Sequence, residues 1–258
     1  MRPNTLALAL ALAVFALPMS ALAQDSTESA EATPEAAQDE APAADADAAA
    51  EEATPNWTWN LSLTSDYVFR GVTQTNFKPA VQGGLDYSFG DSGWYVGFWS
   101  SNVDFNDSDG PDVELDTYVG WGTELNDDWA LDFSLLHYSY FGERNAYGSV
   151  DYTEVISKTT WKDMLTFTVA YAPDYANLDY TSVYINLGGS WDVGNDFNIN
   201  AGFGHTIFGD NNGTYNDWNL GVSRQFGPVN AALNYYDTDI DGDNVSDTIV
   251  LTIAFGNG

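Results

Sequence analysis

The stretch Trp57–Arg70, WTWNLSLTSDYVFR, constrains this chain more than any other. Its odd positions Trp57, Trp59, Leu61, Leu63, Tyr67 and Phe69 are apolar, with Ser65 the exception, and its even positions Thr58, Asn60, Ser62, Thr64, Asp66 and Arg70 are polar, with Val68 the exception. Alternation of this kind gives an extended strand one greasy and one wet face. A strand of about ten residues with aromatics near both ends fits a bilayer crossing in a closed barrel. The pattern recurs to the end of the chain.

The residues before it read differently. Arg2 is a weak positive start, Leu6–Leu17 a short apolar core, and Ala21-Leu22-Ala23 before Gln24 a small-x-small cleavage pattern. Residues 1–23 are therefore expected to be a secretory signal peptide. The absence of cysteine and of any long apolar run elsewhere agrees with export by this route. From Gln24 to Pro55 the chain turns to Ala, Glu, Asp, Pro, Thr and Gln without Lys, Arg or aromatics, so 24–55 is expected to be a disordered acidic segment. Taking Arg2 and ten leader acids from totals of 7 basic and 38 acidic residues leaves 6 against 28 in 56–258, a formal net charge of −22. Such a domain does not suit a nucleic-acid partner, which needs a basic surface.

Within 56–258 twelve strand-like segments follow one another. After Trp57–Arg70 come Ala80–Phe89, Trp94–Phe105, Val113–Leu125, Trp129–Phe141, Val150–Trp161, Met164–Ala172, Tyr180–Trp191, Phe197–Phe208, Asp217–Phe226, Val229–Tyr236 and Thr248–Phe255. Links after even-numbered strands are tight, such as Asn126–Asp128, Lys162–Asp163 and Gly227–Pro228. Links after odd-numbered strands are longer and rich in Asp, Asn and Gly, such as Asn106–Asp112 and Asp237–Asp247. Short turns at one end and long loops at the other mark an outer-membrane barrel. Trp94, Trp129, Trp161, Trp191, Phe226 and Phe255 lie beside the short turns. Tyr67, Phe69, Tyr140, Phe141, Tyr171, Tyr180, Phe208 and Tyr235 lie beside the long loops. Two such belts are expected at the two headgroup levels. The fold expected is all-β: a single antiparallel up-and-down transmembrane β-barrel of about 12 strands, monomeric, in the outer membrane of a Gram-negative bacterium. Its surroundings would be outer-membrane lipid and lipopolysaccharide, and its last strand, TIVLTIAF, resembles the terminal signal read by the barrel-assembly machinery.

The run Ser65-Asp66-Tyr67-Val68-Phe69-Arg70-Gly71-Val72-Thr73-Gln74-Thr75 resembles the hallmark of the TorF family of porins. The continuations Lys78–Tyr87 and Trp94–Phe105 are similar to it as well. The resemblance implies an outer-membrane β-barrel with porin activity and names no solute.

With the apolar faces toward lipid, the lumen-facing set includes Asp66, Asp86, Glu114, Asp116, Glu124, Asp132 and Glu154 against Arg70 and Lys158. Acids in such excess in a confined channel attract cations, so the expected function is passive diffusion of small hydrophilic, cationic solutes. The alternative is that these charges pair across the lumen and close it, leaving a structural or surface-interaction barrel; Arg70, a base among acids, is a candidate clasp. Asp237, Asp239, Asp241 and Asp243 with Gly242 match the opening of a calcium loop, although Thr248 stands at the twelfth position where Glu is wanted. The same residues also suit an acidic hairpin loop. His137 and Ser139 share one strand face, as a nucleophile and base would, but no third, orienting group is identifiable. No catalytic residue, cofactor fingerprint, phosphate loop or zinc spacing is assigned.

Overall fold

The computed structural model describes residues 56–106, 110–142, 149–242 and 245–257. The segments read as signal peptide and acidic leader lie outside them. The strands are β1 (Trp57–Thr64), β2 (Val68–Phe69), β3 (Val72–Thr73), β4 (Ala80–Ser88), β5 (Trp94–Asn102), β6 (Val113–Asn126) and β7 (Trp129–Phe141). They continue as β8 (Tyr152–Trp161), β9 (Leu165–Ala172), β10 (Ser182–Gly194), β11 (Phe197–Phe208), β12 (Thr214–Phe226), β13 (Val229–Thr238) and β14 (Thr248–Gly256).

All except β2 and β3 form one closed barrel in which sequence neighbours are antiparallel and β1 pairs with β14 to complete the ring. The closing ladder runs from Asn60↔Gly256 to Thr64↔Thr252. Closure leaves no sheet edge, so ladder bonds satisfy the backbone all round the wall. The twelve wall strands are those read from the alternation, with small changes of boundary except at the first.

Period-two patterning sorts the wall into two faces. Leu61, Leu63, Phe133, Leu135, Phe203, Leu220, Leu233, Ile249 and Leu251 are exposed on the outside, while Ser62, Gln82, Glu114, Tyr138, Glu154 and Thr206 are buried within. The third strand, whose sequence is mixed, also resolves: Trp99 and Ser101 point inward, and Trp94, Val96 and Phe98 point outward.

Tight turns close one end. Asn195 and Asp196 both have positive φ, as do Lys162 and Asp163, the left-handed pair that a two-residue hairpin needs. Beside these turns Trp94, Trp129, Phe226 and Phe255 are exposed, and Trp129 lies across from Trp161 with centroids 6.4 Å apart. Arg224 sits in this belt, its guanidinium carbon 4.6 Å from the Phe197 ring centroid and 4.8 Å from that of Phe226.

The opposite belt is smaller than expected. Phe141 and Tyr171 are exposed, but Tyr67 (4%), Phe69 (2%), Tyr140 and Tyr180 are buried. Phe208 packs with Tyr175, Tyr180 and Tyr215. These rings fill the loop end of the barrel instead of ringing it.

Gly93 shows how close the turn end is packed. Its φ is +77°, and an added Cβ would collide with the carbonyl oxygen of Gly122. Gly93→Ala is expected to destabilise the barrel by about 1 kcal/mol or more, read as a lowered urea midpoint for the refolded protein.

Candidate functional site

The first strand does not run to Arg70. It leaves the wall after Thr64, where the Ser65 amide donates to the Leu251 carbonyl at 2.9 Å, and the chain turns into the lumen. There β2 and β3 pair as a small hairpin, Val68↔Thr73 and Phe69↔Val72. Arg70 (φ 43°) and Gly71 (φ 80°) are its two turn residues. Glycine at the second turn position is part of the signature of a two-residue hairpin, although Arg70 stands where Asn, Asp or Gly is usual. That signal was present in Phe69-Arg70-Gly71-Val72, and the apolar alternation running through it hid it.

Asp66 organises the base of the hairpin. Its Oδ1 accepts hydrogen bonds from the Thr73 hydroxyl (2.5 Å) and the Thr75 hydroxyl (2.8 Å). The Tyr67 amide donates to Thr75 Oγ1 at 3.0 Å, and the Gln74 amide donates to the Tyr67 carbonyl at 2.6 Å. Asp66 is therefore a structural acceptor within the inserted segment rather than a wall position.

Arg70, at the tip, reaches across to β8. Its Nη2 lies 3.1 Å and 2.9 Å from the two carboxylate oxygens of Glu154, with both side chains almost fully buried. The guanidinium also lies 4.2 Å from the centroid of the Tyr184 ring on β10. The Tyr138 hydroxyl donates to the Oε2 of Glu154 at 3.0 Å, the oxygen nearer Arg70, and Tyr138 stacks on Tyr152 with centroids 4.4 Å apart. Tyr67 donates to Glu114 on β6 at 3.3 Å and packs edge-on to Trp99.

Gly71 completes the crossing. A Cβ there would lie 2.8 Å from Thr238 Cβ and 2.9 Å from Asp217 Cβ, so the tip abuts β12 and β13. The hairpin thus touches β6, β8, β10, β12 and β13 and spans the loop half of the lumen. The second long loop seats on it: Asp104 N–H donates to the Gln74 carbonyl, and Lys78 pairs with Asp104 at 2.5 Å.

The remaining expected lumen residues fall into two tiers. Glu114, Asp116 and Glu154 surround the hairpin and are buried. Asp86, Asp132 and Lys158 lie toward the turn end, where the Tyr118 hydroxyl donates to Asp86 at 2.5 Å and the Tyr95 hydroxyl to Asp132 at 2.7 Å. Lys158 stands opposite Asp132 in the β7–β8 ladder. Glu124 is exposed near the turn rim. Asp217, buried beside the hairpin tip and bonded by the Tyr184 hydroxyl at 3.2 Å, was not among the expected residues. The alternation Tyr215, Asp217, Asn219, Gly221 against Trp218, Leu220, Val222 carries it.

Two aspartates of the candidate calcium loop, Asp237 and Asp239, accept hydrogen bonds from neighbouring groups of the protein. Asp237 accepts from the Tyr235 hydroxyl and from the Thr238 amide. Asp239 accepts from the Asn216 amide at 2.7 Å and from its side-chain Nδ2 at 2.6 Å, and the backbone bond in particular holds its carboxyl below the usual carboxylate range. Asp243 lies outside the described residues. Among those described, no three acids or histidines are grouped to hold a metal ion. His137 is exposed on the outer face and bonds Thr153 on β8 at 2.9 Å, and His205 bonds Asn216.

Removing one partner of a buried pair strands the other charge. Glu154→Ala is therefore expected to cost about 3–5 kcal/mol, while Arg70→Met combined with Glu154→Leu recovers most of that loss. Denaturant midpoints of the native protein and the two variants test this.

Several solved structures align with the barrel at low identity. The NanC porin shares 12% identity, with 77% of this chain and 97% of that one covered and a TM-score of 0.49. The KdgM porin shares 8% over 78% and 98%, with a TM-score of 0.48. LpxR from Salmonella typhimurium shares 9% over 77% and 99%, with a TM-score of 0.42. No curated protein matches the sequence. The model of a family described as bacterial protein of unknown function, Gcw_chp, matches residues 48–252, and the chain belongs to that family.

Proposed function

We propose that the protein is an outer-membrane channel of the porin kind, admitting small hydrophilic solutes with a preference for cations, and that the β2–β3 hairpin forms its constriction. The observation that carries this reading is an acid-rich polar lumen inside a continuous apolar outer band. Asp86, Glu114, Asp116, Asp132, Glu154 and Asp217 face inward against Arg70 and Lys158, and Arg70 is already paired with Glu154. Confined carboxylates in excess favour cations over anions. The resemblance to the TorF porins supports the same reading, because its hallmark run, 65–75, contains the inserted hairpin.

A second reading is favoured by one feature. The hairpin crosses the lumen and buries its tip contacts, as a permanent plug would in a structural barrel. Planar-bilayer recording under a salt gradient separates the two. Stable steps with a cation-side reversal potential are expected, and combining Asp86→Asn with Asp132→Asn moves that potential toward zero. Replacing residues 66–76 by a short Gly-Ser linker is expected to enlarge the steps. A folded barrel that conducts neither before nor after this replacement rules the channel reading out.

The membrane placement has its own test. Leu220, exposed midway along β12, is expected to face acyl chains. Leu220→Arg should lower the free energy of folding into lipid vesicles by about 2–4 kcal/mol. An unchanged value would argue against a bilayer at that position.

A further inference from the structure

Away from the hairpin, toward the turn end, the lumen wall is divided. On β5, β6 and β7 it carries Tyr95, Tyr118 and Asp132, the tyrosines bonded through their hydroxyls to Asp132 and Asp86. Half a circumference away and onward to β1 it carries amides and small residues. Three of these amides share one arrangement. Asn60 stands opposite Gly84, Asn219 opposite Gly202, and Asn234 opposite Gly221. In each case the amide occupies the space where the glycine has no side chain. A Cβ would lie 2.9 Å from Asn60 Nδ2 at Gly84 and 2.8 Å from Asn219 Nδ2 at Gly202, and at Gly221 it would collide with the Asn234 amide.

Each amide therefore lies over its cross-strand neighbour instead of projecting into the lumen. All three are half-buried, so one side of each remains open to water. Among the described residues none of the three side-chain amides has a protein hydrogen-bond partner. Their carbonyl and NH2 groups are left to whatever occupies the lumen.

We propose that this amide arc is a binding track for uncharged polyhydroxylated solutes, that is, neutral saccharides. An amide offers two donors and an acceptor in one plane, and a sugar hydroxyl needs both a donor and an acceptor. Hydroxyl groups reproduce the hydrogen bonds of the waters they displace, which offsets much of the cost of desolvating both partners. Asp132, across the lumen from Asn219 and Asn234, and Asp86, on β4 beside Asn60, accept hydrogen bonds from further hydroxyls and repel anionic sugars. Uncharged amides bind weakly enough that the solute also leaves, as passage requires.

This inference rests on the channel reading for its physiological sense, but binding can be measured without conduction. In bilayer recordings, maltotriose is expected to block the current reversibly and with saturation, whereas a polyethylene glycol of similar size lowers it only in proportion to solution conductivity. Asn219→Ala with Asn234→Ala should weaken the half-saturating concentration about tenfold, from two lost hydrogen bonds. Steps that maltotriose affects no more than the glycol does overturn the proposal and leave the channel standing. If the folded barrel gives no steps, saturation-transfer NMR with maltotriose decides. Transfer lost in the double variant upholds the track while the channel reading fails, and no transfer to the native barrel overturns the track.

Discussion

The ladder between β1 and β14 is the contact on which the rest of the molecule depends. A sheet of twelve strands left open would expose two long rows of unpaired amides and carbonyls, which neither water-free lipid nor a solvated edge tolerates well. Pairing the first wall strand with the last removes both rows at once. It also turns the period-two pattern of each strand into an inside and an outside. The exposed leucines, isoleucines and phenylalanines of the outer face then make a band with one physical meaning, an apolar surface that water does not favour.

Closure creates the second problem, an interior that must be filled or wetted. The two ends solve it differently. Toward the loops the lumen is filled by the hairpin, by Tyr175 and Tyr180, and by the inward tyrosines Tyr138, Tyr140, Tyr152, Tyr184 and Tyr215. Burying so many hydroxyls and carboxylates is tolerable because many are mutually bonded, as at Tyr138–Glu154–Arg70 and Tyr184–Asp217. Toward the turns the wall is lined by glycines with asparagines and tyrosines leaning over them, which keeps bulk out of the centre. One half is therefore a packed polar core, and the other a wetted wall.

The Arg70–Glu154 pair belongs to the packed half and holds the hairpin by charge. Two buried ions together add little to stability, since their desolvation offsets their attraction, but losing one is costly. The pair therefore fixes where the tip sits more than it strengthens the barrel. Gly71, which leaves no room for a side chain between Asp217 and Thr238, fixes the same position by shape.

The wall was legible in the sequence because alternation is a local property. Strands such as Trp129–Phe141 and Phe197–Phe208 needed no long-range information to be found with their ends correct. The lumen face of Asp86, Glu114, Asp116, Asp132 and Glu154 followed from the same parity. What the sequence could not decide is where the chain leaves the wall. Tyr67, Val68 and Phe69 look like more strand, since an apolar ring suits a lipid belt and a barrel interior equally. Only the tertiary structure chooses between them. It does so through contacts distant in sequence: Glu154 for Arg70, Glu114 and Trp99 for Tyr67, and Asp217 for Gly71. The amide–glycine pairs are likewise invisible along the chain, because register across neighbouring strands is what brings Asn60 over Gly84. Local periodicity determined the barrel, and long-range pairing decided what fills it.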